Sequence, residues 1–389
     1  MFDTDVNNLY FASVTNLILW YAINQEKYFM HMADALLSPA VGCTLWAASA
    51  GTIAYCSKRI REEGNDKIVP LMGVMAAFIF AAQMINFTIP ATGSSGHLGG
   101  GLILTILLGP YAAFLAIASV LAVQSLFFAD GGLLALGCNI FNLGAFPAFI
   151  AYPLIYKKIV GYQPTPGKIA VGSMIGAVIG LQLGAFAVVL ETVASGISSL
   201  PFSTFVTLMQ PIHLGIGIVE GLVTAAVVSF VYRARPEILQ IALETKPLGN
   251  LSTRPIIIGF AAVTVITGST ISWLASEHPD GLEWSIEKVT GKGEIEGGKV
   301  GVHAVLASMQ EKIAFLPDYS FKKPEAAKKE EAKPVEGSAS HKAVAAKEEP
   351  KKEDGSKIGT SLSGIVGGFM TLVLAFLIGL VLKKRAQVA

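Results

Sequence analysis

Nine apolar runs joined by short polar connections dominate the chain, at about residues 37–57, 69–88, 98–109, 112–128, 139–157, 168–194, 207–232, 254–275 and 359–382. About 20 apolar residues in a helix span the hydrocarbon core of a bilayer. Backbone exposed to lipid must satisfy its own hydrogen bonds, which restricts spanning structures to helices and closed barrels. Runs of this length predict an all-α integral membrane protein, and the overall balance agrees, with 52% apolar and 15% charged residues. The third run is short and ends at Leu108-Gly109-Pro110, so a tight hairpin with the fourth is expected there. Cys43, Cys56 and Cys138 lie in or beside apolar runs with no C-x-x-C spacing and read as membrane-buried small residues.

The positive residues set the topology. Lys and Arg concentrate in cytoplasmic loops, and here they cluster at Lys58-Arg59-Ile60-Arg61, Lys157-Lys158, Arg233 to Arg254 and Lys383-Lys384-Arg385. Threading nine spans alternately places all of these on one side. The other side receives everything before residue 37, the Gly-rich stretch 91–97, Asp130-Gly131-Gly132, residues 195–203 and the polar segment 276–357. The expected arrangement is a multi-pass protein of a prokaryotic plasma membrane, N-terminus outside and C-terminus cytoplasmic. A net charge of +1 with its cations confined to loops offers nothing to nucleic acid. Residues 322–357, rich in Lys, Glu, Ala and Pro, cannot bury enough apolar surface to offset ordering and are expected to form a flexible tether. Residues 236–253 divide a seven-span body from a two-span appendage.

The stretch Met30-His31-Met32-Ala33-Asp34-Ala35-Leu36-Leu37-Ser38-Pro39 reads like the start of a protein, although 29 residues precede it. Those residues lack a basic leader and a small-residue cleavage site, so 1–29 is expected to be a misassigned upstream start or a segment removed before the protein works. With a free amine at Met30, that amine, the His31 peptide nitrogen and the His31 imidazole close five- and six-membered chelate rings on one metal. Two readings stand for His97, in Thr92-Gly93-Ser94-Ser95-Gly96-His97-Leu98-Gly99-Gly100: a Gly-rich turn with an interfacial histidine, or a loop folded inward to deliver one imidazole. The second would complete a square-planar set of four nitrogens, which suits Ni(II) or Cu(II), and Co(II) in its low-spin form. Zinc prefers tetrahedral sites and magnesium prefers oxygen.

Three stretches, "MHMADALLSP", "TGSSGHLGGGLILTILLGPYAAFLAIASVLAVQSLFFADGGLLALGCNIFNLG" and "HLGIGIVEGLVT", resemble the membrane substrate-binding component of nickel and cobalt transporters of the energy-coupling-factor type. The resemblance covers roughly residues 30–235. It implies a seven-helix substrate-binding bundle whose first amine, second-position histidine and loop histidine bind the ion, mapping here to Met30, His31 and His97. His278-Pro279-Asp280-Gly281-Leu282-Glu283-Trp284 is similar to the small PDGLE partner subunit of the same transporters. That partner would be fused here as residues 254–389, with an outer segment at 276–321 between two C-terminal transmembrane helices, and the fusion leans towards nickel. The family implies two cytoplasmic ATPase subunits and a membrane coupling subunit as partners. No G-x-x-x-x-G-K-[ST] occurs in the chain, so it is expected to be a transporter subunit and not an enzyme, with the ion as substrate and no cofactor.

Four further polar residues are candidates to support the ligands: Ser95, Asn142, His213 and Glu220. For Glu220, an intramembrane carboxylate, a hydrogen bond to a neighbouring helix is the competing structural role. His278, His303 and His341 are expected to be solvated. Gly172, Gly176, Gly180 and Gly184 form a small-residue row on which a helix of this chain or of the coupling subunit can pack closely. Three other functions compete: cobalt uptake for cobalamin synthesis, an intramembrane metalloenzyme, for which no H-E-x-x-H pair exists, and a vitamin-binding transporter component, which calls for an aromatic-lined pocket.

Overall fold

The computed structural model describes residues 30–65, 68–244, 251–292, 295, 300–321 and 354–386. Helices follow the apolar runs in order. The first, α1 (Pro39–Glu63), is capped by Ser38, whose Oγ accepts from Val41 N at 3.4 Å, has Pro39 in its first turn, and stops at Gly64 in the left-handed conformation. This is the ordinary grammar of helix ends. Next come α2 (Ile68–Gln83), a two-stranded hairpin of β1 (Phe87–Ile89) and β2 (Ser94–Gly96), α3 (Gly101–Leu108) and α4 (Pro110–Phe128). The hairpin expected between the third and fourth runs is present, turning at Gly109 with φ 79°.

The fifth run forms α5 (Leu136–Val160), whose middle, Phe141–Tyr156, is a wide-turned π-helix. Pro147 and Pro153 lie inside it; each lacks an N–H and so breaks the regular ladder. Then follow α6 (Pro166–Ser195), α7 (Phe202–Ala234), the short α8 (Pro236–Glu244), α9 (Arg254–Ser269), α10 (Gly281–Thr290), α11 (Val302–Ile313) and α12 (Asp354–Ala386). The helix α12 begins four residues inside the segment expected to be a tether through 357; the rest of that segment, 322–353, and residues 1–29 lie outside the described residues, as does His341.

Among the described residues, five helices are long and apolar enough to cross a membrane: α4, α5, α6, α7 and Ile358–Leu382 within α12. The helices α2 and α9 are apolar but shorter, at 16 residues each. Small and weakly polar residues such as Gly42, Thr44, Ser49 and Thr52 hold down the hydropathy of α1 even in its uncharged part, and α3 has eight residues. The chain is thus a mostly helical, multi-pass membrane protein. Its lipid-facing belt is formed by exposed apolar side chains on α6 and α7, including Ile175, Ile179, Leu190, Ile218, Leu222 and Phe230.

The centre is α2, which buries every residue except Pro70. It packs against α4 on one side and against α9 and α12 on the other, so the appendage is docked on the body. The helices α9 and α12 cross at glycine: a Cβ on Gly268 would lie 3.1 Å from the Gly364 carbonyl carbon. The glycine row of α6 also finds its partner within the chain, because α5 packs along it: Val160 faces Gly172, Ala151 faces Gly180, and the Asn142 carbonyl faces Gly184. One cysteine departs from expectation. Cys56 and Cys138 are buried, but Cys43 is exposed on α1.

Candidate metal centre

The loops that charge placement assigns to one side gather at one end of the bundle. There the Met30–Asp34 stretch runs along the loop between α4 and α5 and is pinned by it. Met32 N–H donates to Asn139 Oδ1 at 3.2 Å, and Asn139 Nδ2 returns a bond to the Met32 carbonyl at 3.2 Å. Gly132 N–H donates to the same carbonyl at 3.1 Å, and Asp34 Oδ1 accepts from Ala135 N–H at 2.9 Å. Gly131 has φ 78°, and a Cβ there would lie 2.9 Å from His31 Cβ. Only glycine supplies both the turn and the space.

His31 is therefore delivered into the bundle and buried, 5% exposed. Its Nδ1 lies 3.1 Å from Asp130 Oδ1, and Met30 N–H donates to that same oxygen at 3.0 Å. Two of the three nitrogens expected in the chelate thus gather about one oxygen of Asp130. The third expected ligand stands opposite: the His97 ring centroid is 5.0 Å from that of His31, with Nε2 2.8 Å from the Met30 carbonyl and Nδ1 3.1 Å from the Leu98 carbonyl. Burial, and secondarily the His31 imidazole, hold the His97 pKa below the ordinary histidine value, which keeps the ring neutral. Burial alone would raise Asp130, but the two imidazoles and the Tyr319 hydroxyl outweigh it and leave the carboxyl below its usual range. Among the described residues, no group of three or more His, Cys, Asp or Glu side chains is placed to hold a metal.

Glu220 positions the histidine loop. Its Oε2 accepts from Gly99 N–H at 2.8 Å and its Oε1 from Gly100 N–H at 3.1 Å, so it bonds the loop and not a neighbouring helix. Asn142 lines a cavity together with Met30, His31 and His97 and donates to Glu191 Oε2 at 2.9 Å. His213 lines the same cavity but its Nδ1 contacts its own helix, 2.8 Å from the Met209 carbonyl. Ser95 faces away from the histidines: its Oγ donates to the His278 carbonyl at 2.7 Å, and its N–H donates to the Pro279 carbonyl at 2.7 Å.

These last bonds lay the Pro279-Asp280-Gly281-Leu282-Glu283 stretch over the cavity, where Asp280, Gly281 and Leu282 join the lining. Trp284 Nε1 donates to the Thr92 carbonyl at 3.1 Å. Asp280 caps α10, accepting from Glu283 N–H at 2.8 Å, and burial pushes its carboxyl up to about 7. His303 is half-buried and not fully solvated: its Nε2 lies 2.8 Å from the Leu37 carbonyl. Among the described residues no Phe, Tyr or Trp lines the cavity, which argues against a vitamin-sized aromatic ligand. Sequence reading passed over Asp130 and Tyr319. For Asp130 the available signal was a carboxylate set between an apolar helix and two glycines; for Tyr319 there was none, because its partner lies 189 residues away.

Residues 31–238 match the family described as CbiM, cobalt uptake substrate-specific transmembrane region. The chain belongs to this family. Residues 254–384 match the PDGLE domain, so a CbiM-type body is joined to a PDGLE domain in one polypeptide. A Haloquadratum walsbyi chain named as a metal transport protein is 36% identical over 221 residues, 56% of this chain and 97% of that one. An Archaeoglobus fulgidus chain named as a fused nickel transport protein, NikMN, is 38% identical over 214 residues, 54% of this chain and 68% of that one. The CbiM cobalt transport protein of Geobacter sulfurreducens is 28% identical over 54% of this chain and 61% of its own length. A solved structure of a truncated transition metal transporter shares 29% identity over 53% of this chain and 99% of its own, with a TM-score of 0.47. These relatives are transport proteins, and the CbiM-type chain described here is a component of a transporter and not an enzyme.

Proposed function

We propose that this CbiM-type chain is the substrate-capture subunit of an ATP-driven energy-coupling-factor transporter, and that its substrate is Ni(II). The observation that carries the reading is that Met30, His31 and His97 line one cavity, with Met30 N and His31 Nδ1 gathered at 3.0 and 3.1 Å about a single Asp130 oxygen and the His97 ring 5.0 Å from that of His31. In the working chain a free amine at Met30, the peptide nitrogen and imidazole of His31, and the His97 imidazole bind the ion in a square plane. The end of the bundle that carries these residues faces outward. The basic connections at the opposite end face the cytoplasm, where two ATPase subunits and a membrane coupling subunit drive release. The nine helical runs cross the membrane as seven plus two, with the shorter helices completed by their flanking turns. Asn142 and Glu220 support the ligands from behind.

Nickel is preferred to cobalt because this chain joins a CbiM-type body to a PDGLE domain and resembles relatives named as fused nickel transport proteins. Two measurements test the reading. Intact mass with N-terminal sequencing of the protein from its native membrane should find a chain starting at Met30. Equilibrium dialysis should then find one Ni(II) per chain, displaced weakly by Co(II). A chain that starts at Met1 and binds no metal, or tighter binding of Co(II), overturns it.

A further inference from the structure

The loop that carries Asp130 is gripped by the PDGLE half of the chain. Gln310, on α11, donates through Nε2 to the Gly131 carbonyl at 2.7 Å and to the Ser125 carbonyl at 2.9 Å. Phe315 and Leu316 both donate backbone N–H bonds to the Phe127 carbonyl, at 3.2 and 3.3 Å. The chain then turns sharply, with Asp318 and Tyr319 at φ 52° and 56°. Positive φ is uncommon outside glycine, and a bulky residue there is an outlier. Such backbone persists only where its surroundings over-determine it, and it concentrates at functional sites.

The strained turn delivers one side chain inward. The Tyr319 ring stacks on Phe128 at 5.1 Å between centroids and 19° between planes, and its hydroxyl donates to Asp130 Oδ2 at 2.6 Å. The other oxygen of that carboxylate is the one on which Met30 N and His31 Nδ1 converge. The two oxygens therefore divide the work, Oδ2 being held by the appendage while Oδ1 accepts from Met30 N–H, a bond that an amine keeps when its lone pair binds an ion, whereas His31 Nδ1 gives up its place beside Oδ1 to the ion. Bonds to an ionised carboxylate are the stronger kind, and a carboxylate fixed through one oxygen cannot rotate away from its partners on the other.

We propose that Tyr319 is a positioning residue for the metal site, acting through Asp130 on the Met30–His31 strand, so that the PDGLE domain contributes to metal affinity without touching the ion. This rests on the metal-site reading given above. The test uses the full chain purified in detergent, every variant carrying the same N-terminus by intact mass, with Ni(II) alone as probe. Y319F keeps the ring on Phe128 and removes only the hydroxyl; it should weaken Ni(II) binding about tenfold, speed dissociation to match, and shift the visible absorption of the bound ion. In a D130N background the same change should alter affinity by less than about twofold, because the partner it acts through is already altered. An unchanged affinity, dissociation rate and spectrum for Y319F overturns the proposal, as does a full tenfold effect that persists in D130N. H97A keeps the two ideas apart: if it binds Ni(II) as tightly as the parent, the metal-site reading itself fails, whatever Y319F does.

Discussion

At the scale of single residues, the centre depends on a few polar groups each held by more than one contact. His97→Ala should remove one of four nitrogens and abolish uptake of the ion while the protein still reaches the membrane, as measured by metal accumulation beside an immunoblot of the membrane fraction. Glu220→Gln should act on the loop and not on the ion directly. The carboxylate accepts two N–H bonds from Gly99 and Gly100, whereas the amide offers one oxygen and turns an NH2 towards the second donor. Leaving that buried donor unmet costs about 1–3 kcal/mol, and hydrogen exchange at Gly99 and Gly100 should quicken accordingly. The pH dependence of binding has a fixed sign. Ligand nitrogens must be unprotonated, and burial holds the His97 pKa below its ordinary value. The amine, with an ordinary pKa of about 8, should therefore lead the loss. Ni(II) affinity measured by dialysis should fall from about pH 8 to pH 6, and a flat profile would contradict nitrogen ligation.

At the scale of elements, close helix approach decides the packing. Helices in lipid gain little from hydrophobic transfer between one another, so van der Waals fit carries their association. The α5 helix reaches α6 because Gly172, Gly180 and Gly184 leave room, and α3 reaches it at Gly176, where a Cβ would sit 3.0 Å from Leu102 Cδ2. Gly176→Leu should overpack that contact at a cost of about 1–3 kcal/mol and lower the midpoint of thermal unfolding in detergent. Gly51→Ala makes the contrast: a Cβ there meets nothing within 4 Å, and the gain in helix propensity, up to about 1 kcal/mol, should leave the midpoint equal or slightly raised.

At the scale of the whole molecule, the PDGLE domain and the CbiM-type body form one packed unit, joined at α2 within the bundle and at the mouth of the cavity. The Asp280 carboxyl, pushed up to about 7 by burial, makes the second junction pH-sensitive. In the docked state Asp280 keeps its proton between its ordinary value, about 4, and about 7, whereas in a released state it loses it. Docking of α10 over the cavity should therefore weaken as pH rises through that window and level off above it. Asp280→Asn retains the helix cap and carries no titrating proton, so it should flatten the dependence. Hydrogen exchange across α10 at several pH values reads both, and an identical profile for parent and variant would contradict the assignment.

The sequence by itself determined the environment and the order of the helices, and it pointed to all three proposed ligands, Met30, His31 and His97, which the fold brings to one cavity. Apolar run length and the placement of Lys and Arg are local properties written along the chain, and a histidine directly after a methionine is visible as a chelator without any fold. The same locality explains what escaped notice. That Glu220 binds a loop and not a helix, that the α6 glycine row serves α5 of the same chain, that His303 bonds the Leu37 carbonyl, and that Tyr319 reaches Asp130 are all matters of which distant segments meet. Only tertiary structure decided them, because a hydrogen bond at 2.6 Å between residues 189 positions apart depends on the packing of every helix between, and no periodicity in the sequence encodes it.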